Sequence, residues 1–203
     1  MPALLASAPL ILASTSPYRR SLLGRLSLPF HCANPGIEEH TATMSGPREL
    51  AERLAAAKAA TISARHPGAI VIGGDQVADC DGKILGKPGT VERACQQLAM
   101  ASGRKVRFHT AVTVLRPDRE LALAHVDLTV VHFRKLEAGE IARYVELDEP
   151  FDCAGSFRSE GLGSALFERV ETEDPSALIG LPLIWLCGAL RLCGLDPLKP
   201  GAH

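Results

Sequence analysis

The sequence predicts an α/β protein, built as a mixed, twisted β-sheet with flanking helices. Short apolar runs alternate with helix-like stretches in the first half of the chain, as in parallel strands joined by helices. In the middle, two alternating apolar–polar runs flank a Pro-Asp turn, which indicates an antiparallel hairpin. The chain has 203 residues, 46% of them hydrophobic, so it can bury a real core. We expect a single domain over 1–203, and allow for a smaller lobe at about 105–165 beside a cleft.

Local sequence signals predict each strand and helix in the first third of the chain. The run Leu10 to Ala13 is continuously apolar, as in a buried strand. Ser16 can cap the next helix because its side-chain oxygen can accept a hydrogen bond from a backbone N–H of the first turn, and Pro17 suits the first helical position. A second strand is predicted at 30–33 and a long helix from Pro47 to about Arg65.

The later elements follow from similar signals. Residues 69–72 form a short apolar run typical of a central strand, and Asp81-Gly82 marks a hairpin turn. Thr90 can cap a helix that ends near Gly103. Further elements are strands at 106–115 and 121–131, a helix at 136–147, a strand at 164–170 and a last helix at 182–193.

Composition narrows the class of partner. The formal net charge is -1, whereas proteins that bind nucleic acid through phosphates usually carry a basic excess. Six cysteines without a CxxC pair or a zinc spacing favour free thiols in a reducing compartment. The apolar start at 4–13 lacks a basic region, which argues against a signal peptide, and the uncharged stretch 177–190 is shorter than the roughly 20 residues of a membrane span. We expect a cytoplasmic protein with a small-molecule partner, no nucleic acid and no membrane, and a homodimer stays open.

Two polar clusters follow predicted strands. The segment from Ser14 to Arg20 opens a helix, where exposed N–H groups, the helix dipole and two arginines favour a phosphate. An ordinary capped helix start explains that segment about as well. The second cluster is Gly73-Gly74-Asp75-Gln76, directly after the strand at 69–72. A carboxylate in that position suits a metal ligand or a general base, and a turn-capping Asp is the alternative.

Lys87 lies in a segment that looks like a phosphate loop but is not one. Only three residues separate Gly82 from Gly86 where four are needed, and Pro88 stands in place of Ser or Thr. Lys87 can still contact a phosphate as a point charge. A solvated surface lysine is the alternative.

Three further features carry charge. Glu38 and Glu39 can hold Mg²⁺ or Mn²⁺, although a pair of this kind is often only a solvated loop. Lys58 lies on the long helix, beside its apolar side, where it can reach a cleft rim or simply snorkel to water. Residues 152–161 place charges and an aromatic residue among small residues, which suits a loop that closes on a ligand.

Taken in order, these motifs resemble the Maf family. The resemblance covers about residues 10 to 195, and although each motif is weak alone, the ordered set is specific. Its members are Leu12-Ala13-Ser14-Thr15-Ser16-Pro17-Tyr18-Arg19-Arg20, Ile37-Glu38-Glu39, Lys58, Ile72-Gly73-Gly74-Asp75-Gln76-Val77, Gly86-Lys87-Pro88, Ala154-Gly155-Ser156-Phe157-x-Ser159-Glu160-Gly161 and Leu178-Ile179-Gly180-Leu181-Pro182.

The resemblance implies a fold, an activity and a set of site residues. The fold would be an inosine-triphosphatase-like α/β fold with two lobes around a cleft. The activity would be hydrolysis of a nucleoside triphosphate between its α- and β-phosphates, with a divalent metal, Mg²⁺ or Mn²⁺, as cofactor. By this likeness Asp75 accepts the proton of the attacking water. The other implied residues are Ser14, Arg19, Lys58 and Lys87 for the triphosphate, and Asp75 with Glu38 or Glu39 for the metal.

Three positions resemble the branch of the family that acts on 7-methyl-GTP, namely Tyr18, Gln76 and Glu160. The branch that acts on dTTP and UTP typically has Arg, Thr and Gln there, and remains the first alternative. Methylation at N7 makes guanine cationic, so an aromatic face attracts it, and a carboxylate can accept from its N1–H and amine. Tyr18 packed on its helix start is the structural alternative. A non-catalytic nucleotide-binding regulator of septum formation is the alternative of another class.

Overall fold

The computed structural model describes residues 8–37 and 46–199, and it confirms the predicted mixed α/β fold. Seven strands form one sheet in the order β2-β1-β3-β5-β6-β7, and β4 pairs with β3. The strands are β1 (Leu10–Ala13), β2 (Phe30–Cys32), β3 (Ile70–Cys80), β4 (Lys83–Leu85), β5 (Lys105–Arg116), β6 (Leu121–Phe133) and β7 (Phe167–Glu171). The helices are α1 (Pro17–Gly24), α2 (Pro47–Arg65), α3 (Val91–Ala101), α4 (Ala138–Asp148) and α5 (Leu183–Leu192).

One edge of β3 is interrupted. The parallel strand β1 pairs with β3 only as far as Ala13 opposite Gly73, and the antiparallel strand β4 begins opposite Ala78 on the same edge. Strand β5 occupies the other edge of β3 from Val71 to Cys80. Within the described part of the chain, residues 74–77 therefore have no strand neighbour on the first edge. We call this interruption the β3 edge gap.

The two faces of β3 are covered differently. Helix α2 packs its small residues against one face, where Ala55 and Ala59 lie among the buried side chains. On the opposite face, α1 and α5 cover one end of the sheet and α3 and α4 cover the other. Because side chains alternate along a strand, Gly74 and Gln76 lie on this second face, between the two helical layers. The edge gap and the space between these layers meet at the same place.

Local signals for turns and caps are confirmed. The Ser16 hydroxyl accepts a hydrogen bond from the Arg19 N–H at 3.4 Å, and the Thr90 hydroxyl accepts from the Arg93 N–H at 3.3 Å. The predicted Asp81-Gly82 turn joins β3 to β4.

Two predicted strand boundaries are wrong. The strand predicted at 69–72 continues to Cys80, because β5 pairs with it throughout, so Asp75 lies inside β3 and not at its end. The strand predicted at 164–170 begins only at Phe167. Before it, Leu162–Leu166 forms a 3₁₀ turn, and the N–H groups of Gly161 and Gly163 both donate to the Arg158 carbonyl.

Two structural findings bear on the predictions from composition. All six cysteines are free thiols. Within 8–37 and 46–199, no helix combines the length and the apolar character needed to cross a membrane. A separate smaller lobe at about 105–165 stays a prediction.

Candidate active site

A cleft of about 260 Å³ opens at the β3 edge gap. It is bounded by the start of α1, by the loop after α4 and by the 3₁₀ turn Ala177–Ile179, with single side chains from α2, β3 and the loop after β4. The polar and charged side chains that line it are Ser14, Thr15, Ser16, Tyr18, Arg19, Asn34, Lys58, Gln76, Lys87, Asp152, Arg158, Ser159 and Glu160. Every predicted substrate-binding residue is in this set.

Gly73 determines how closely α2 approaches the sheet. A Cβ atom at this position would lie 2.3 Å from the Ala55 carbonyl oxygen and 2.6 Å from the Ala59 nitrogen. Only glycine permits this approach of helix backbone to strand backbone. The contact lies directly beneath Lys58, since Ala55 and Ala59 flank it on α2.

The close approach brings Lys58 onto Asp75. The Lys58 Nζ donates to Asp75 Oδ1 at 2.6 Å, and the two residues are only 7% and 5% exposed. A buried pair of this kind is strongly coupled, because removal of one partner leaves the other charge buried. Lys58 lines the cleft, whereas Asp75 lies behind it. The structure thus joins two of the three predicted catalytic residues in one ion pair.

Arg19 is held on the opposite face of β3. Its Nε donates to the Gly180 carbonyl at 3.1 Å. A Cβ atom at position 74 would lie 3.3 Å from this Nε and 3.2 Å from Leu181, so Gly74 leaves room for the arginine. Gly73 therefore allows α2 to pack closely on one face of β3, and Gly74 leaves room for Arg19 on the other face.

Gln76 connects the sheet to the turn that carries Gly180. Its Nε2 donates at 3.0 Å to the carbonyls of Ala177 and Leu178, and lies 2.9 Å from the Thr110 hydroxyl. These contacts occupy the amide nitrogen. Within the described chain no donor contacts the Gln76 carbonyl oxygen, which leaves an acceptor at the cleft.

Lys87 reaches the cleft from the loop after β4. Its loop is tied down on both sides, because Gln97 Nε2 donates to the Gly86 carbonyl at 3.1 Å and the Gly89 N–H donates to the Phe151 carbonyl at 3.0 Å. The Lys87 side chain is exposed and pairs with no carboxylate of the described residues. The third predicted catalytic residue is therefore an exposed cation on a hydrogen-bonded backbone.

Tyr18 bridges the cleft. Its hydroxyl donates to Asp152 Oδ1 at 3.0 Å, and the Cys153 Sγ lies 3.4 Å from both of these oxygens. Burial and these neighbours raise the pKa of Tyr18, so the hydroxyl stays a donor at neutral pH. Burial raises the pKa of Cys153 to about 11, which keeps it a thiol and not a nucleophile. Tyr18 does more than pack on its helix start.

Ser14 and Glu160 complete the predicted set. Ser14 is buried and its hydroxyl accepts from the Ser16 N–H at 3.1 Å. Glu160 is exposed and accepts from the Ser159 hydroxyl at 3.1 Å. Both line the cleft, from opposite walls.

The predicted metal ligands are Asp75 and Glu38 or Glu39. Glu38 and Glu39 lie outside the described residues. Among 8–37 and 46–199, no three His, Cys, Asp or Glu side chains converge as a metal site would require. Of the predicted metal ligands, Asp75 lies within the described residues, and its carboxylate oxygens are the hard ligands that Mg²⁺ prefers.

Three residues that line the cleft were not predicted as individual site residues from the sequence, namely Asn34, Asp152 and Arg158. The charges at 152 and 158 were visible in the 152–161 motif, but nothing in the sequence indicates that Asp152 meets Tyr18 from 134 positions away. Asn34 follows β2, and its side chain accepts from the Gly36 N–H at 2.9 Å. Its position after a parallel strand was the available signal.

Comparison with known proteins gives close relatives over nearly the whole chain. A protein of Xanthomonas axonopodis pv. citri named 7-methyl-GTP pyrophosphatase is 55% identical over 92% of this chain and 97% of its own. Proteins of the same name from Pseudomonas aeruginosa and Colwellia psychrerythraea are 53% and 46% identical, over 92% and 93% of this chain and 97% and 94% of their own.

One solved structure is also similar. The Staphylococcus aureus Ham1 protein superposes with a TM-score of 0.46 at 14% identity, over 76% of this chain and 89% of that chain. The family model described as Maf-like protein matches residues 9–193, which include the whole described cleft. The family model and the relatives of about 50% identity over nearly the whole chain agree with the ordered motifs: the chain belongs to the Maf family.

Proposed function

We propose that this protein hydrolyses 7-methyl-GTP to 7-methyl-GMP and pyrophosphate. One observation carries the proposal: Arg19, Lys58 and Lys87, from three separate elements, line a single cleft, and Lys58 is bonded to Asp75. The relatives named 7-methyl-GTP pyrophosphatase support the choice of substrate.

The triphosphate fits the cationic part of the cleft. Three phosphates bring several negative charges, and attack by water is slow unless these charges are neutralised. Arg19 offers a planar fork of donors, whereas the two lysines act as point charges. The exposed head of Lys87 can follow the phosphates, while Lys58 is fixed by its bond to Asp75.

Asp75 is suited to accept a proton. In the proposed step the water oxygen bonds to the α-phosphorus, the bond from that phosphorus to the bridging oxygen breaks, and pyrophosphate leaves with both electrons. The proton of the water passes to a carboxylate oxygen of Asp75. Lys58 orients that carboxylate by its hydrogen bond at 2.6 Å. Asp75 lies in β3 at the edge gap, where residues 74–77 have no neighbouring strand of the described chain on that edge.

A divalent metal fits this arrangement as a proposed cofactor. Magnesium is commonly bound through one or two carboxylates together with substrate phosphates, so Asp75 and either Glu38 or Glu39 would hold it. When bound, it would neutralise charge that develops on the phosphate oxygens.

The base fits the other groups of the cleft. Tyr18 offers an aromatic ring held through its hydroxyl, and Glu160 offers an exposed carboxylate. A carboxylate can accept from the N1–H and amine of guanine, and the carbonyl of Gln76 is a further acceptor. An aromatic ring attracts a cationic purine, which supports 7-methylguanine over a neutral base.

A panel of triphosphates tests the proposal directly. The full-length protein would be assayed with Mg²⁺ against 7-methyl-GTP, GTP, ATP, dTTP and UTP, with pyrophosphate and monophosphate quantified separately. We expect equal amounts of the two products and the highest kcat/KM for 7-methyl-GTP. A higher kcat/KM for dTTP or UTP would assign the chain to the sister activity. No pyrophosphate from any triphosphate would favour a nucleotide-binding regulator instead.

A further inference from the structure

We propose that Asp152 is a specificity-determining residue that distinguishes the N7-methylated, cationic purine from its unmethylated form. The inference rests on the proposed function and deepens it. It assigns a role to a cleft carboxylate that the hydrolytic step does not use.

Discrimination between the two purines needs more than hydrogen bonds to the base edge. GTP and 7-methyl-GTP both present an N1–H and an amine, so Glu160 and Gln76 can contact either base. The two bases differ by one methyl group and one positive charge. A site can select the methylated base through the methyl group or through the charge, and a carboxylate near the base attracts the charged form.

Asp152 has the required position. Its Oδ1 accepts from the Tyr18 hydroxyl at 3.0 Å, so the carboxylate is fixed at the edge of the ring on which the base would stack. Both side chains line the cleft. The Cys153 thiol lies 3.4 Å from the same carboxylate oxygen and 3.4 Å from the Tyr18 hydroxyl, so it contacts both groups of this bond.

Asp152 also keeps its charge. Burial alone would raise the pKa of this carboxyl, but the hydrogen bonds from Tyr18 and Cys153 outweigh it and lower the pKa below its usual value. Arg158 is the counter-charge, with its Nη2 3.5 Å from Asp152 Oδ1 and donating to the Glu149 carbonyl at 3.0 Å. The Arg158 guanidinium thus also binds the Glu149 backbone, whereas the Asp152 carboxylate is hydrogen-bonded to the Tyr18 hydroxyl.

The test measures selectivity, because a merely structural role would lower activity on both substrates alike. Asp152→Asn keeps an oxygen that can accept from Tyr18 and removes the charge. We expect the ratio of kcat/KM for 7-methyl-GTP to kcat/KM for GTP to fall about five-fold, a modest effect since the Asp152 side chain is half exposed. Tyr18→Phe, which keeps the ring and the charge, is expected to lower the ratio by less.

Glu146→Gln is the matched control, since it removes an exposed carboxylate from α4 that does not line the cleft. We expect it to leave the ratio unchanged. An unchanged ratio in Asp152→Asn, or an equal loss on both substrates, overturns the role of Asp152 while the proposed function stands. A wild-type protein that does not prefer 7-methyl-GTP overturns the substrate assignment itself, and this role with it.

Discussion

Replacement of Gly73 by Ala tests whether the packing of α2 on β3 positions the catalytic ion pair. The new Cβ would lie 2.3 Å from the Ala55 carbonyl oxygen, where ordinary contact begins at 3.4 Å, a shortfall of 1.1 Å (3.4 − 2.3). The obstructing atoms are helix backbone, so no change of rotamer relieves the clash. The helix itself must move by about an ångström, and Lys58 moves with it.

The expected cost has two parts. Overpacking of this kind costs about 1–3 kcal/mol, and the rigid backbone contact places Gly73→Ala near the upper value. For a chain of this size, about 3 kcal/mol lowers the melting temperature by roughly 6–12 °C. The displaced Lys58 can no longer hold Asp75 at 2.6 Å, and misplacement by an ångström can lower kcat about 100-fold.

Gly68→Ala is the control, because a Cβ there meets no atom within 4 Å. We expect its stability within about 0.5 kcal/mol of wild type and its kcat unchanged. Thermal unfolding by circular dichroism and steady-state pyrophosphate release measure both effects on the same samples. A Gly73→Ala protein with wild-type stability and kcat would refute the view that this contact positions Lys58.

Three other changes have defined outcomes. Lys58→Met leaves Asp75 buried without its lysine, so we expect a loss of about 3–5 kcal/mol in chemical denaturation together with loss of turnover; a stable, active variant would contradict the pairing. Lys87→Ala removes an exposed cation, so KM for 7-methyl-GTP should rise at unchanged melting temperature, and an unchanged KM and kcat would exclude phosphate contact. Burial and the charge of Asp174 raise the pKa of Asp127 above 3.8, so the folded protein favours its protonated form and loses stability as pH rises through that pKa. Asp127→Asn should therefore melt higher than wild type at pH 7, with the difference shrinking toward pH 4; equal melting temperatures at pH 7 would count against this.

Features that depend on neighbouring residues were predictable from the sequence. Ser16 and Thr90 start helices because their hydroxyls accept from N–H groups of the same first turn, and Pro17 fits the first helical position because it has no N–H to satisfy. The Asp81-Gly82 turn is equally local, since both residues adopt positive φ. The order of the motifs pointed to residues that line one cleft, although Lys58 lies within α2 and Asp75 lies within β3 and does not line it.

Features that depend on distant partners were not predictable. Strand β3 runs to Cys80 because β5 pairs along its whole length, and no local pattern across two glycines shows this. The cleft instead marks where the neighbouring strand β1 ends, which is a property of the sheet and not of β3. The bond between Tyr18 and Asp152 joins residues 134 positions apart, and it was invisible for the same reason.

The most direct measurement is turnover and binding of 7-methyl-GTP by Asp75→Asn. The asparagine oxygen can still accept from Lys58, so the variant tests proton transfer with little change of shape. We expect kcat with Mg²⁺ to fall by about 10²–10⁴-fold. Calorimetry without added metal, using the same non-hydrolysable analogue on both proteins, should give a Kd within a few-fold of the wild-type value. A folded variant that retains most of its pyrophosphate release would contradict the role of Asp75 as proton acceptor.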